Sequence, residues 1–194
     1  MTPDNAPPSD PITEDPRPAG LRPARSLVVV NTGDGKGKST AAFGIVMRAV
    51  ARGWRVAVIQ FLKSGKWHVG EEDTARRLDV DWWALGEGFS WDSSDLSEDE
   101  AVAQQAWAHA AAVIRAGEHR LVVLDELTYP LNWGWLDVDE VVGTIRDRPP
   151  DVSVVATGRD APGALIDVAD TVTEMRSVKH AYDAGIVAKK GIDY

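Results

Sequence analysis

Apolar residues enter this chain abruptly. Through residue 26 they follow no period; from Leu27 they come in blocks separated by glycines and polar turns. Residues 27–30 are an unbroken aliphatic run, the pattern of a strand covered on both faces of a parallel sheet. After a glycine-rich stretch, residues 38–52 carry Ala42, Phe43, Ile45, Val46, Ala49 and Val50 on one side of a helix. Residues 56–61 read as a second strand, and strand–loop–helix–strand predicts a right-handed βαβ unit. Further strands are expected over 80–85, 121–124, 152–157 and 171–175. Ser97 and Glu100 form a capping box for a helix running toward Arg115, with Gly117 as its stop. Asp137 with Glu140 starts another helix, ending before Pro149 and Pro150. Alternating strands and helices predict a three-layer α/β domain with a mainly parallel sheet.

Residues 1–26 differ in kind. Seven of the chain's 11 prolines fall there, and a segment so poor in apolar residues buries too little surface to offset its ordering entropy. We expect a flexible, disordered Pro-rich tail, with ordering over a ligand or a neighbouring subunit as the alternative. The folded domain is expected over 27–194.

Composition narrows the function. The chain has 194 residues, 21 Lys+Arg against 30 Asp+Glu, a net charge of -9 and no cysteine. A disulfide framework, a thiolate metal site and a Cys nucleophile are thereby excluded. The acidic balance disfavours nucleic acid, which needs a basic face. No apolar run approaches the roughly 18 residues of a membrane span, so we expect no membrane partner and a cytoplasmic setting. His68, His109, His119 and His180 are scattered without zinc-ligand spacing. Eight tryptophans are unusually many.

The most informative stretch is Gly33-Asp34-Gly35-Lys36-Gly37-Lys38-Ser39-Thr40, between a predicted strand and a predicted helix. Gly37-Lys38-Ser39 matches the end of the phosphate-loop pattern, while Thr32 occupies the position of its first glycine. Glycines let successive N–H groups turn inward around an anion, and the helix N-terminus adds partial positive charge. Lys38 is placed to reach phosphate oxygens, and the Ser39 hydroxyl to ligate Mg²⁺. The variant spacing and the extra Lys36 suggest that a nucleotide sits differently from that of an ordinary NTPase. The strand over 121–124 ends in Asp125 and Glu126, on the sheet edge where open α/β folds bind ligands. Together with the loop they indicate a Mg²⁺-nucleotide site. Arg159, in Thr157-Gly158-Arg159, reads either as a bidentate phosphate ligand on that edge or as a surface arginine. Phe89 and Trp91 lie on a glycine-rich loop, either lining a pocket for a flat ligand or pinning the loop to the core.

Taken together, these blocks resemble the ATP:corrinoid adenosyltransferases of the enteric phosphate-loop type. The resemblance covers residues 27 to 194. It rests on the shortened loop 33–40, Val58-Ile59-Gln60-Phe61-Leu62-Lys63, Gly88-Phe89-Ser90-Trp91, residues 123–129, Thr157-Gly158-Arg159, residues 178–185 and Gly191-Ile192-Asp193-Tyr194. The resemblance implies a phosphate-loop nucleoside-triphosphatase-like (RecA-like) fold and transfer of 5′-deoxyadenosyl from ATP to the Co(I) of a corrinoid, with triphosphate released. It implies Mg²⁺ (or Mn²⁺) as cofactor, held by Ser39, Asp125 and Glu126. Lys36 and Lys38, with Glu126, would serve the chemistry; Gly33, Asp34, Gly35, Gly37, Thr40, Arg48 and Arg159 would bind nucleotide. Phe89 and Trp91 would crowd the cobalt's lower face. Further implied are a reduced flavoprotein as electron donor and a homodimer. A Mg²⁺-dependent ATPase of related fold and a non-catalytic nucleotide-binding module are the alternatives.

Overall fold

The computed structural model describes residues 13–14, 17–62, 69–85 and 96–193, with Leu96 described by its backbone alone. Six strands stand close to where the aliphatic runs place them: β1 (Val28–Thr32), β2 (Val56–Gln60), β3 (Asp81–Ala84), β4 (Leu121–Asp125), β5 (Ser153–Thr157) and β6 (Thr171–Glu174). They form one sheet in the order β3-β2-β4-β5-β1-β6, and every neighbouring pair is parallel. Helices α1 (Lys38–Val50), α2 (Gly70–Arg77), α3 (Leu96–Ala116), α4 (Thr128–Asn132), α5 (Val138–Arg146) and α6 (Gly163–Val168) fill the connections.

The two-residue period of a strand decides the layers. Val28, Val30, Ala57, Ile59, Val122, Leu124, Val154 and Ala156 share one core with Trp107, Ala110 and Ile114 of α3, Val141 and Ile145 of α5, and Leu165 of α6. Val56, Val58, Leu121, Val123 and Val155 point the other way, onto Ala42, Phe43, Val46 and Ala49 of α1 and Ala75 of α2. Central strands are therefore apolar along both faces except at their ends, because each side chain between has a helix above or below it. The three-layer α/β arrangement follows directly.

Local signals explain most boundaries. Asp137 caps α5 by accepting from the Glu140 N–H at 2.9 Å, and Gly117 ends α3 with a φ of 67°. Helix α3 is described from Leu96, which puts Ser97 in its first described turn. Helix α2 lacks the apolar periodicity that would announce it. It is specified by charge, with Glu71, Glu72 and Asp73 in the first turn and Arg76 and Arg77 in the last, complementing the helix dipole. Arg76 also reaches Glu72 at 2.8 Å. Where the Pro-rich segment meets the body, Arg25 holds both carboxylate oxygens of Asp151, at 3.1 and 2.7 Å.

The tryptophans among the described residues are largely structural. Trp82 and Trp107 are buried, Trp107 donating to Glu140 at 3.1 Å, and Trp54 stacks under the Arg120 guanidinium at 4.6 Å.

The amino ends of the strands, opposite the carboxyl edge, carry a polar cluster. Asp81 accepts from Arg55 at 3.1 Å and pairs with the buried His119 ring at 2.7 Å, while Arg55 also reaches Glu118 at 2.5 Å. The hydrogen bond from His119, followed by that from Arg55, holds the Asp81 carboxyl below its ordinary range. A carboxylate depressed in the folded state stabilises above its unfolded pKa, and the contribution disappears as pH falls through the folded value. Asp81→Asn is therefore expected to lower stability at pH 7, with the deficit shrinking as pH drops into and below the ordinary carboxylate range. Urea unfolding at a series of pH values measures this; a deficit that grows on acidification contradicts it.

Candidate active site

Three strands deliver their last residues to one polar line at the carboxyl edge, which a tryptophan of a fourth strand joins. Asp125, fully buried at the end of β4, receives the Gln60 amide of β2 at 2.9 Å and the Thr157 hydroxyl of β5 at 2.7 Å, one on each carboxylate oxygen. The Gln60 carbonyl accepts in turn from the Trp82 indole of β3 at 3.2 Å. The Thr157 oxygen accepts the backbone N–H of Glu126 at 2.9 Å. A buried carboxylate needs such partners, since desolvation without them costs several kcal/mol. Glu126 leaves the strand at a φ of 64°, a left-handed conformation uncommon for a residue with a Cβ. This turns its side chain off the strand line.

Two strands away, β1 runs into the phosphate loop and α1 departs from it. Gly33 and Gly37 have φ of 92° and 112°. The Lys38 ammonium folds back over the loop and donates to the carbonyls of Gly33 at 2.8 Å and Gly35 at 2.7 Å. Burial, then Arg159, pushes its pKa below the ordinary lysine value, with Asp34, Glu126 and Asp160 pulling the other way. Those influences place the loop, the acidic strand end and the turn after β5 around one spot. Ser39 stands in the first turn of α1, next to Lys38.

Thr32 stands where the usual pattern has glycine, and its side chain plays a separate role. Its hydroxyl accepts the Ala161 N–H at 3.0 Å and so ties the turn after β5 to the loop. The same turn is fixed from α4, where Thr128 and Asn132 donate to the Arg159 carbonyl at 2.5 and 3.2 Å. The Arg159 side chain is left exposed beside the loop. Tyr129 of α4 is half-buried here; burial and then the Glu126 carboxylate raise its pKa, opposed by Arg159.

The donors Ser39, Asp125 and Glu126 are all oxygens, the chemistry preferred by a hard cation such as Mg²⁺ that keeps waters and substrate phosphates as its remaining ligands. Among the described residues no three acidic or histidine side chains converge on a point, so a metal here would depend on the nucleotide for much of its shell.

The family of ATP:corrinoid adenosyltransferases designated BtuR/CobO/CobP matches residues 24–194. This chain belongs to that family. It is 45% identical over 182 residues to a corrinoid adenosyltransferase of Pseudomonas aeruginosa, covering 93% of this chain and 89% of that one. Corrinoid adenosyltransferases of Escherichia coli strain K12 and Salmonella typhimurium are each 41% identical over 180 residues, 93% of this chain and 91% of theirs.

Of the residues singled out by sequence, Gly33, Asp34, Gly35, Lys36, Gly37, Lys38, Ser39 and Thr40 form the loop and the first turn of α1. Glu126 and Arg159 act on Lys38 there, and Asp125 lies buried behind them with both oxygens held by Gln60 and Thr157. Arg48 does not join them: it sits in the last turn of α1, ten residues beyond Lys38, or roughly 15 Å along the axis. Phe89 and Trp91 lie outside the described residues. Gln60, Thr157 and Thr128 are site residues that the sequence pattern does not single out. A glutamine closing an otherwise apolar strand is the signal that points to Gln60.

The loop glycines differ sharply from a helical one in what they permit. A Cβ on Gly33 would stand 2.5 Å from the Met175 carbonyl oxygen and 2.8 Å from its nitrogen, both backbone atoms that cannot rotate away. On Gly44, inside α1, it would meet nothing within 4 Å. Gly33→Ala is therefore expected to destabilise by on the order of 1–3 kcal/mol. Gly44→Ala is expected to stabilise by about 0.5–1 kcal/mol. Chemical denaturation of the two variants side by side checks the contrast in sign.

Proposed function

We propose that this chain transfers the 5′-deoxyadenosyl group of ATP to the Co(I) of a corrinoid and releases triphosphate, in adenosylcobalamin biosynthesis or salvage. Membership of the adenosyltransferase family supports the transfer, and the self-satisfied Lys38 at the phosphate loop carries the assignment of ATP to this site. The corrinoid substrate brings its own nucleophile. The Co(I) lone pair forms the cobalt–carbon bond at C5′, the C5′–O5′ bond breaks, and its electron pair leaves with triphosphate; cobalt ends formally as Co(III). No catalytic Ser, Cys or His is needed in such a displacement.

What the chain must supply is a site for the charge that grows on the leaving group. The glycine loop offers N–H groups, the start of α1 offers its dipole, and Lys36 and Lys38 offer ammonium groups. Lys38 already donates to two carbonyls, and a phosphate oxygen arriving at the loop exchanges those neutral acceptors for charged ones. Ser39 and Glu126, with Asp125 behind them, are the residues that would hold Mg²⁺ (or Mn²⁺). When bound, the ion would neutralise phosphate charge as a Lewis acid. In this reading Arg159 binds phosphate, Glu126 assists at metal or ribose, and Phe89 and Trp91 serve the corrinoid. Arg48, at the far end of α1, serves the nucleotide only away from the triphosphate. Residues 1–26 form a tail on a catalytic domain at 27–194. The chain acts in the cytoplasm as a homodimer, with a reduced flavoprotein supplying the electron that makes Co(I). Among the described residues no helix is long and apolar enough to cross a membrane.

An assay of the products decides between the readings. With ATP and chemically reduced corrinoid, the expected products are a cobalt–carbon species and triphosphate in equal amounts. ADP and phosphate formed without corrinoid would instead identify an ATPase, and tight ATP binding without any product a binding module. Lys38→Ala is expected to lower the rate of adenosyl transfer by about 10²–10³-fold, the usual cost of deleting one donor aimed at developing negative charge. Single-turnover measurement at saturating ATP checks it; an unchanged rate removes Lys38 from the chemical step.

A further inference from the structure

The segment that follows β6 is built into the phosphate loop. The Gly35 N–H donates to the Met175 carbonyl at 2.6 Å, so one loop amide faces the protein and not the anion. A Cβ on Gly35 would fall 2.8 Å from the carbonyl carbon and oxygen of Arg176. Loop and segment touch backbone to backbone, which sets Arg176 beside Lys36. Beyond this contact the chain turns over a short 3₁₀ helix at Ala181–Ala184 and comes back, so that Asp193 forms an ion pair with Lys36. The second Asp193 oxygen accepts the Lys189 N–H at 2.7 Å, which fixes the carboxylate in place.

The turn encloses a cavity of about 360 Å³ lined by Lys36, Arg176, Lys179, His180, Tyr182 and Asp193, among others. Three permanent cations face one carboxylate there, in a chain whose net charge is -9. Among the described residues Arg176 and Lys179 have no ion pair, and the carboxylate that Lys36 pairs with is the chain's own Asp193. Such an arrangement makes a local positive potential that suits an anion larger than one carboxylate, adjacent to a loop that already suits phosphate.

We propose that Lys36, Arg176 and Lys179 form a polyphosphate subsite continuing the phosphate loop, and that Asp193 occupies it until the nucleotide arrives. The subsite takes the part of the triphosphate that extends past the loop, and binding transfers Lys36 from the Asp193 carboxylate to a phosphate oxygen. This rests on the assignment of ATP to the loop. It adds residues that hold the leaving triphosphate and a carboxylate that competes for the same ammonium, favouring departure of the product. A corrinoid's peripheral acid groups offer the same anionic chemistry; polyphosphate is favoured because Lys36 belongs to both the loop and the cavity.

Calorimetric titration of the full chain with inorganic tripolyphosphate, with ATP and with corrinoid alone tests it. The Arg176→Ala, Lys179→Ala double variant is expected to bind tripolyphosphate and ATP about tenfold more weakly, as loss of charge-assisted contacts predicts. Asp193→Asn keeps the acceptor for the Lys189 N–H and removes the competing charge; it is expected to bind tripolyphosphate about two- to fivefold more tightly, the scale of an exposed ion pair. Both gains and losses should diminish with added salt. Unchanged tripolyphosphate affinity in both variants overturns the subsite, while ATP binding by the unaltered chain shows that the loop assignment stands. Failure of the unaltered chain to bind ATP overturns both. A double variant that weakens only the corrinoid titration shows that the cavity serves corrinoid acids and overturns the polyphosphate assignment. Arg176 and Lys179 are exposed, so melting temperatures close to that of the unaltered chain are expected and separate binding from folding.

Discussion

The buried carboxylate of Asp125 is the constraint around which the carboxyl edge is organised. A carboxyl group with no exposed surface persists only where its oxygens are met by partners, and here the donors come from neighbouring strands on either side. Gln60 and Thr157 can reach it only in the observed register, in which Gln60 pairs with Asp125 across β2 and β4 and β5 runs one strand further. The hydrogen bonds therefore align the strand ends as well as satisfy a charge. They also explain the conformation of the next residue: with its N–H committed to Thr157, Glu126 turns sharply at positive φ toward the loop. The aliphatic layers specify which face of each strand is buried. The polar line at their ends specifies where the strands stop.

A second constraint is steric. The phosphate loop lies so close to Met175 and Arg176 that glycine is required at 33 and 35 for reasons separate from anion binding. Glycines in such loops are ordinarily explained by the approach of a phosphate; here at least two are also explained by the approach of the chain itself. Thr32 belongs to the same logic. A glycine there would leave the Ala161 N–H without its side-chain acceptor, loosening the turn that carries Arg159. The departure from the common loop pattern is thus a coupling between two loops of the site.

The fold was legible where burial alone specifies an element. The central strands β1, β2, β4 and β5 follow from apolar runs, because a two-sided sheet leaves few polar positions to blur the pattern, and α1 follows from its apolar period. Helices α3 and α5 follow from start and stop residues, and the edge strands β3 and β6, less buried, from shorter and more mixed runs. Helix α2 was invisible for the opposite reason: charges and the dipole specify it, and it buries only Glu72 and Ala75. The short α4 and α6 carry too few turns to show a period. At the site, the loop and the strand-ending acids were legible because backbone geometry and charge leave a local signature. Gln60, Thr157 and Thr128 were not, since each matters through a partner that lies 65, 32 and 31 residues away in sequence.

Charge distribution links these levels. An acidic chain repels a polyphosphate at long range, so affinity must come from a local reversal of sign. The reversal has two parts of different character. At the loop, Lys38 is half-buried and its positive charge is made costly by burial and by Arg159, so an arriving phosphate relieves an unfavourable state. Around Lys36 the cations are exposed and hydrated, and their attraction is weaker and more easily screened. A leaving triphosphate gripped throughout by buried cations would be slow to depart. In the proposed reaction, one partly desolvated cation at the loop, with the others in reach of water and of Asp193, would concentrate stabilisation on the charge developing during the displacement. The remainder would then be weak enough for the product of that reaction to exchange.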